Sequence, residues 1–354
     1  MKERYPVLDV MKGVAIFLVV AGHVLAMCIR GIDRAPLFKF IGEIHMPLFF
    51  FVSGFLTLRR GKDGGIVMPG LGQRAVRLLL PMVAVSSLWV LWFPLSGLES
   101  PLPEGFAGLW GDEWKNGYWF TPVLFVITVL YIPSALLLSR LSGLWSRIAA
   151  IAAVWCVLAF AVDLLPPTWI SAASLSLVVR FYPVFMAGAV AADCRAAFTA
   201  FCGRSSTQTV ALAASALLIS YVGWYWRYPA IPAWCLDVAR PLLHIALAVL
   251  AFGVMSPWAA RDTATVRMWS FLGRKSLAIY LLHYFFLFPA GGLRPLLEST
   301  ELAIVPTAVV AAAIAAAIVA VVLIIDYVIS FSAPLALLLT GARPKPETKA
   351  PQGV

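Results

Sequence analysis

Charge is what this sequence has least of. Only 12% of its 354 residues are Asp, Glu, Lys or Arg, where soluble domains carry about a quarter. With 62% hydrophobic residues and a mean hydropathy of +0.90, the chain lacks the polar surface a soluble globule needs. Cysteine is scarce too. Five residues without paired spacing exclude a disulfide framework and a thiolate zinc site. Cys28 and Cys235, at outer ends of predicted spans, leave room for one bridge that nothing in the sequence demands. There is no internal repeat. A net charge of +10 raises the question of a nucleic-acid partner, but the cations collect in short loops between apolar runs, where they orient a membrane protein.

At about 20 apolar residues per span, the chain divides into about ten spans: 7–28, 37–58, 78–96, 119–138, 148–165, 175–192, 208–225, 237–256, 271–289 and 302–331. The expected fold is an all-α polytopic transmembrane helix bundle, one integral-membrane domain over 1–340. The Pro- and Lys-rich stretch 341–354 is expected to be a disordered tail. Most of the 27 Lys and Arg residues fall on the N-terminal side of the membrane, including RRGKDGG at 59–65 and QRAVR at 73–77. That bias predicts both termini in the cytoplasm. The start resembles a signal peptide, with Lys2, Arg4 and a lipoprotein-like box at 25–28. Met27 stands where a small residue is wanted and the run outlasts an h-region, so the segment is expected to remain as a span.

The first span, VLDVMKGVAIFLVVAGHVLAMC, carries three groups foreign to lipid: Asp9, Lys12 and His23. Asp9 and Lys12 are three apart and so neighbours on a helix. Lys12 and His23 are eleven apart, about three turns, so they share a face about 16 Å apart along the axis. Ionisable groups inside spans face the bundle interior and are functional candidates. The second span contains EIHMPLFFFVSGF. Pro47 removes a backbone bond beside His45, so a kink is expected there. Glu43 and His45 are two apart and point to different faces. Arg74 and Arg77, three apart, form a basic patch suited to phosphates or to anchoring at lipid headgroups. Ser276, Tyr280 and His283 recur at i, i+4, i+7 and share a face of the ninth predicted span, as support for the site or as mutual partners. His244 reads most simply as polar glue between helices. Two outer loops are aromatic, one with Trp110, Trp114, Tyr118 and Trp119, the other with Trp224, Tyr225, Trp226, Tyr228 and Trp234. They suit stacking on a sugar, and equally the interfacial belt of any membrane protein. Arg180 and Arg240 sit at outer span ends beside them.

Leu8-Asp9, Lys12-Gly13 and His23 together resemble the N-terminal signature of the acyltransferase-3 family of integral-membrane acyltransferases, closest to its fucose-O-acetylase-like members. His45-Met46-Pro47 with the aromatics and Ser53-Gly54 is similar to the family's second-span element, and Arg74-x-x-Arg77 to its R-x-x-R element. Tyr118-Trp119-Phe120 with the stretch after it, and FLGRKSLAIYLLHYFF at 271–286, also resemble family elements. The commoner family residue at position 12 is Arg. Lys there presents a point charge and not a bidentate fork. The resemblance implies a multi-pass protein of the bacterial inner membrane. It also implies acyl-CoA, most often acetyl-CoA, as cytoplasmic donor substrate with no bound cofactor or metal, and an extracytoplasmic carbohydrate as acceptor. On that reading His23, with Lys12, Asp9 and His45, forms the catalytic set. Arg74 and Arg77 hold CoA. Trp119, Arg180 and Arg240 meet the acceptor, and Glu43, Ser276, Tyr280 and His283 support the site. Two other classes fit parts of the pattern. A transporter or permease explains kinked spans with intramembrane charges, and four intramembrane imidazoles could ligate b-type haem in pairs.

Overall fold

The structure is a computed structural model. It describes residues 5–29, 36–62, 64–97, 105–227, 233–290, 292 and 304–342. The first half of the bundle comprises α1 (Pro6–His23), α2 (Pro36–Thr57), α3 (Leu71–Trp92), the short α4 (Gly105–Gly111), α5 (Phe120–Ser139), α6 (Leu144–Asp163) and the short α7 (Pro167–Ala172). The second half comprises α8 (Leu175–Asp193), α9 (Arg195–Cys202), α10 (Ser205–Arg227), α11 (Ala233–Ala259), α12 (Ala264–Arg274), α13 (Ser276–Leu282), α14 (Ile304–Ile329) and α15 (Ala333–Thr340). Among the described residues nine helices are long and apolar enough to cross a membrane, and pairing outside helices is limited to one isolated bridge, Arg60 with Ile66. The all-α polytopic expectation is met.

Two spans differ from expectation. The third helix starts at Leu71, earlier than the expected 78, so Arg74 and Arg77 lie in its first turns, on a helix start as their spacing predicts. The predicted span 271–289 is not one helix. Lys275 leaves helical geometry (φ −93°, ψ 4°), α13 runs only to Leu282, and His283–Phe286 tighten into a 3-10 turn. The apolar piece Ser276–Phe286 is too short to cross alone. The loop expected over 97–117 contains α4, and α2 passes through Pro47 as one helix.

α1 is the axis of the bundle, packed by α2, α11, α12, α13 and α14. Lipid offers helices no hydrophobic reason to associate, so close packing at small residues takes over. A Cβ on Gly13 would stand 2.0 Å from the Trp269 carbonyl oxygen, and one on Gly273 1.9 Å from that of Asp9. The α1–α12 crossing is therefore backbone against backbone. α2 and α8 repeat the device through Gly54 and Gly188. At the opposite extreme, α6 buries no residue, and its Val157 and Phe160 are 67% exposed. Such a surface is stable only against lipid tails.

Candidate active site

Proline in the first turn starts α1. At His23 the helix widens into a π turn, Val24–Cys28. Such bulges are common at functional sites. His283 stands at the matching irregularity, where α13 tightens. That tightening lets two consecutive residues grip one ring. His23 Nδ1 lies 2.8 Å from His283 Nε2, and His23 Nε2 lies 3.0 Å from the Tyr284 hydroxyl. The two imidazoles are stacked, 5.0 Å between centroids.

The partners determine where the protons are. His283 Nδ1 is 2.9 Å from the Ile279 carbonyl, which only accepts, so Nδ1 carries the hydrogen and neutral His283 accepts at Nε2. His23 must then donate from Nδ1, which leaves Nε2 as its basic atom. Tyr284 O–H donates to that atom. The result is a directed chain of neutral groups, Tyr284 to His23 to His283 to a carbonyl. It holds His23 in the tautomer and orientation that a base needs, and a proton arriving at Nε2 would leave Nδ1–H still bonded.

A loop braces this chain. The Tyr280 hydroxyl donates to the Gly117 carbonyl (3.0 Å) and accepts from the Phe120 N–H (3.2 Å), and the Tyr118 hydroxyl donates to the Leu281 carbonyl (3.1 Å). Lys115, Asn116 and Gly117 all have positive φ. At Gly117 a Cβ would lie 2.0 Å from the Tyr284 oxygen, so a side chain there would displace it. The Lys115 ammonium is buried and donates to the carbonyls of Asp112 (3.0 Å) and Ala172 (2.8 Å), tying the loop to α7. Burial pulls its pKa down.

A second cluster joins α2, α8 and α11. The Glu43 carboxylate accepts from His244 Nε2 at 2.8 Å and from Arg180 Nη2 at 3.3 Å, with Arg240 Nε 3.5 Å away. Phe181 stacks on His244 (5.9 Å), Phe50 (4.5 Å) and Trp119 (5.4 Å). Trp119 is thus part of a packed aromatic wall and not an open loop.

The other predicted residues divide. Asp9 and Lys12 form the expected ion pair, 2.9 Å apart, toward the opposite end of α1 from His23. His45 donates from Nδ1 to the Ile41 carbonyl, and lies within electrostatic reach of His23. Its hydrogen bond goes to that carbonyl and not to Glu43, in keeping with the two-residue spacing. Arg74 turns inward to the hydroxyls of Thr57 (2.9 Å) and Thr128 (3.2 Å), while Arg77 is exposed and, with Arg59, within electrostatic reach of Arg74. Tyr280 and His283 join the site, each through a partner outside its own helix. Ser276, about 10 Å along α13 from His283, does not join the imidazole chain. Cys28 and Cys235 are free thiols. Of the aromatic loop at 224–234, the side chains lie outside the described residues, as does the tail from 343. Haem ligation by paired imidazoles fits poorly. His23 and His283 bond each other at 2.8 Å, short of the roughly 4 Å that a metal held between two nitrogens needs.

Sequence reasoning missed Tyr284 as a partner of His23 and His244 as a partner of Glu43. Tyr284 directly follows His283, but a helical period sends adjacent residues to different faces. Only a break in the helix brings them to one ring.

A family model described as "Acyltransferase domain", that of acyltransferase-3, matches residues 5–326. The chain belongs to this family of integral-membrane acyltransferases. It is similar to Nodulation protein NolL of Mesorhizobium japonicum, 36% identical over 135 residues, 34% of each chain. It is also similar to Nodulation protein NolL of Sinorhizobium fredii, 31% identical over 194 residues, 51% of this chain and 46% of the relative. The matched stretches span a third to a half of the relatives' length. No solved structure matches.

Proposed function

We propose that this protein is an O-acyltransferase of the bacterial inner membrane, moving an acyl group, acetyl in the first instance, from cytoplasmic acyl-CoA to a hydroxyl of an extracytoplasmic carbohydrate. The observation that carries the reading is the directed chain on His23, with Nε2 as the basic atom. In the resting arrangement Tyr284 occupies that lone pair, so an acceptor hydroxyl must take its place. His23 Nε2 then removes the hydroxyl proton as the oxygen attacks the thioester carbonyl. The C–S bond breaks, the ester C–O bond forms, and the imidazolium returns the proton to the departing CoA thiolate. The displaced Tyr284 hydroxyl is free to donate to the developing oxyanion. General base catalysis of this kind contributes about 10²- to 10⁴-fold.

The donor enters where the cations are. With both termini in the cytoplasm, the inner mouth carries Lys12 steadied by Asp9, and the Arg59, Arg74 and Arg77 cluster suits the phosphates of CoA. Arg180, Arg240 and the Trp119 wall lie toward the other mouth and would meet the acceptor, with His45 and Glu43 beside them. The test is acetyl-CoA turnover by purified protein in detergent, wild type beside His23→Ala, both monodisperse and thermally stable. Release of CoA by wild type and its loss in His23→Ala is the expected result. A wild type that neither binds acetyl-CoA nor releases CoA with any envelope glycan would overturn the reading in favour of a permease.

A further inference from the structure

The Glu43 cluster has more positive than negative charge. Two guanidiniums, Arg180 and Arg240, approach one carboxylate. His244 approaches the same carboxylate through Nε2. A further acid, Glu113, lies at the start of the Lys115 loop within electrostatic reach of Arg180. Burial and then the Asp112 carboxylate push the Glu113 carboxyl up. Surplus charge within a span is costly unless something pairs with it.

Exposure within the cluster is asymmetric. The Glu43 side chain is sealed, 4% exposed, whereas those of Arg180 and Arg240 are 24% and 20% exposed. The carboxylate is a buried backstop holding two guanidiniums whose outer parts remain reachable. Three buried atoms around it lack a hydrogen-bond partner: Arg180 Nε, Arg240 Nε and His244 Nδ1. Buried polar atoms are seldom left unpaired without a ligand or water to meet them. The Arg180 guanidinium also lies over the Phe181 ring at 5.3 Å, and Phe181 stacks on Trp119. Planar cations thus border the packed aromatic wall.

We propose that the acceptor is an acidic sugar whose carboxylate is held by Arg180 and Arg240. This rests on the acceptor entering at this cluster, and it narrows the acceptor from carbohydrates in general to those bearing a uronate. Guanidinium forks match carboxylates geometrically as an ammonium does not, so two pre-positioned forks select for that group.

The test needs no acyl donor. Binding of glucuronate and of glucose to full-length protein in detergent is measured calorimetrically at equal ionic strength. Wild type is expected to bind glucuronate at least about tenfold more tightly than glucose. Arg240→Gln should remove that preference. Glu43→Gln, which frees the forks from their internal carboxylate, should strengthen it. The opposite signs keep the result interpretable should one variant fold poorly. Equal binding, binding of neither sugar, or a preference that ignores both substitutions would overturn the proposal. Acetyl-CoA turnover without glucuronate preference would leave the transferase reading standing alone. A glucuronate preference without turnover would leave the acidic-sugar site standing and the transferase reading fallen.

Discussion

The His23 chain and the Glu43 cluster are both polar islands in an apolar bundle, yet they satisfy their atoms by opposite means. The first uses only neutral groups. Each donor has one acceptor, and every proton position follows from the Ile279 carbonyl at its end. The second uses formal charges and leaves three buried atoms without a hydrogen bond. A neutral chain can be rearranged cheaply, which suits a group that must gain and lose a proton in each turnover. A charged cluster resists rearrangement, because separating its members exposes each to the full cost of desolvation. On the proposed function, one region serves the chemistry and the other holds the acceptor.

Substitutions can break that contrast. The largest effect expected is on activity. His23→Ala should lower CoA release by about 10²- to 10⁴-fold while leaving the melting temperature in detergent near that of wild type. Glu43→Ala should do the reverse kind of damage. It strands two guanidiniums and should cost about 3–5 kcal/mol, read as a fall in unfolding midpoint. A stable Glu43→Ala protein would show that water pairs the arginines and the contrast is false. His283→Ala removes the group that orients His23 and should reduce turnover by about tenfold or more, with stability little changed. Tyr284→Phe frees His23 Nε2. It should speed modification of His23 by an imidazole-directed reagent several-fold, as the loss of a roughly 1 kcal/mol hydrogen bond allows. An unchanged rate would mean that Tyr284 does not occupy the lone pair.

The smallest effect tests the loop that braces both regions. Glu113 is raised above its ordinary value by burial and by Asp112. The folded protein therefore holds that proton to higher pH than the unfolded chain does, and binds more protons over the window from about 4.5 upward to the raised value. Its contribution to stability is present below that window and lost as pH rises through it. The unfolding midpoint measured across this range should fall less in Glu113→Gln than in wild type.

Much of the bundle was legible because the signals are local. Apolar run length announces a span, and nine of the expected spans appear as long helices among the described residues. The Asp9–Lys12 pair needed only a three-residue spacing, and the divergence of Glu43 from His45 only a two-residue one. The ninth predicted span runs beside α1 from Asp9 to Cys28 but is broken along its length, for a physical reason. Hydropathy averages over the break at Lys275 and the tightening at His283, since neither changes composition.

The sequence by itself determined that this chain lives in a membrane as helices, that few ionisable groups lie within it, and which stripe of the first span carries three of them. It also contains the signature that places the chain in its family. Which of those groups meet was decided only by tertiary structure. His23 and His283 are 260 positions apart, and Glu43 and Arg180 are 137 apart. Their contacts arise because Gly13 with Gly273, and Gly54 with Gly188, let backbones approach closely enough to bring particular helices side by side. Proton direction came last of all. It depends on a single carbonyl at the end of a hydrogen-bonded chain, and no pattern along the sequence encodes which carbonyl that will be.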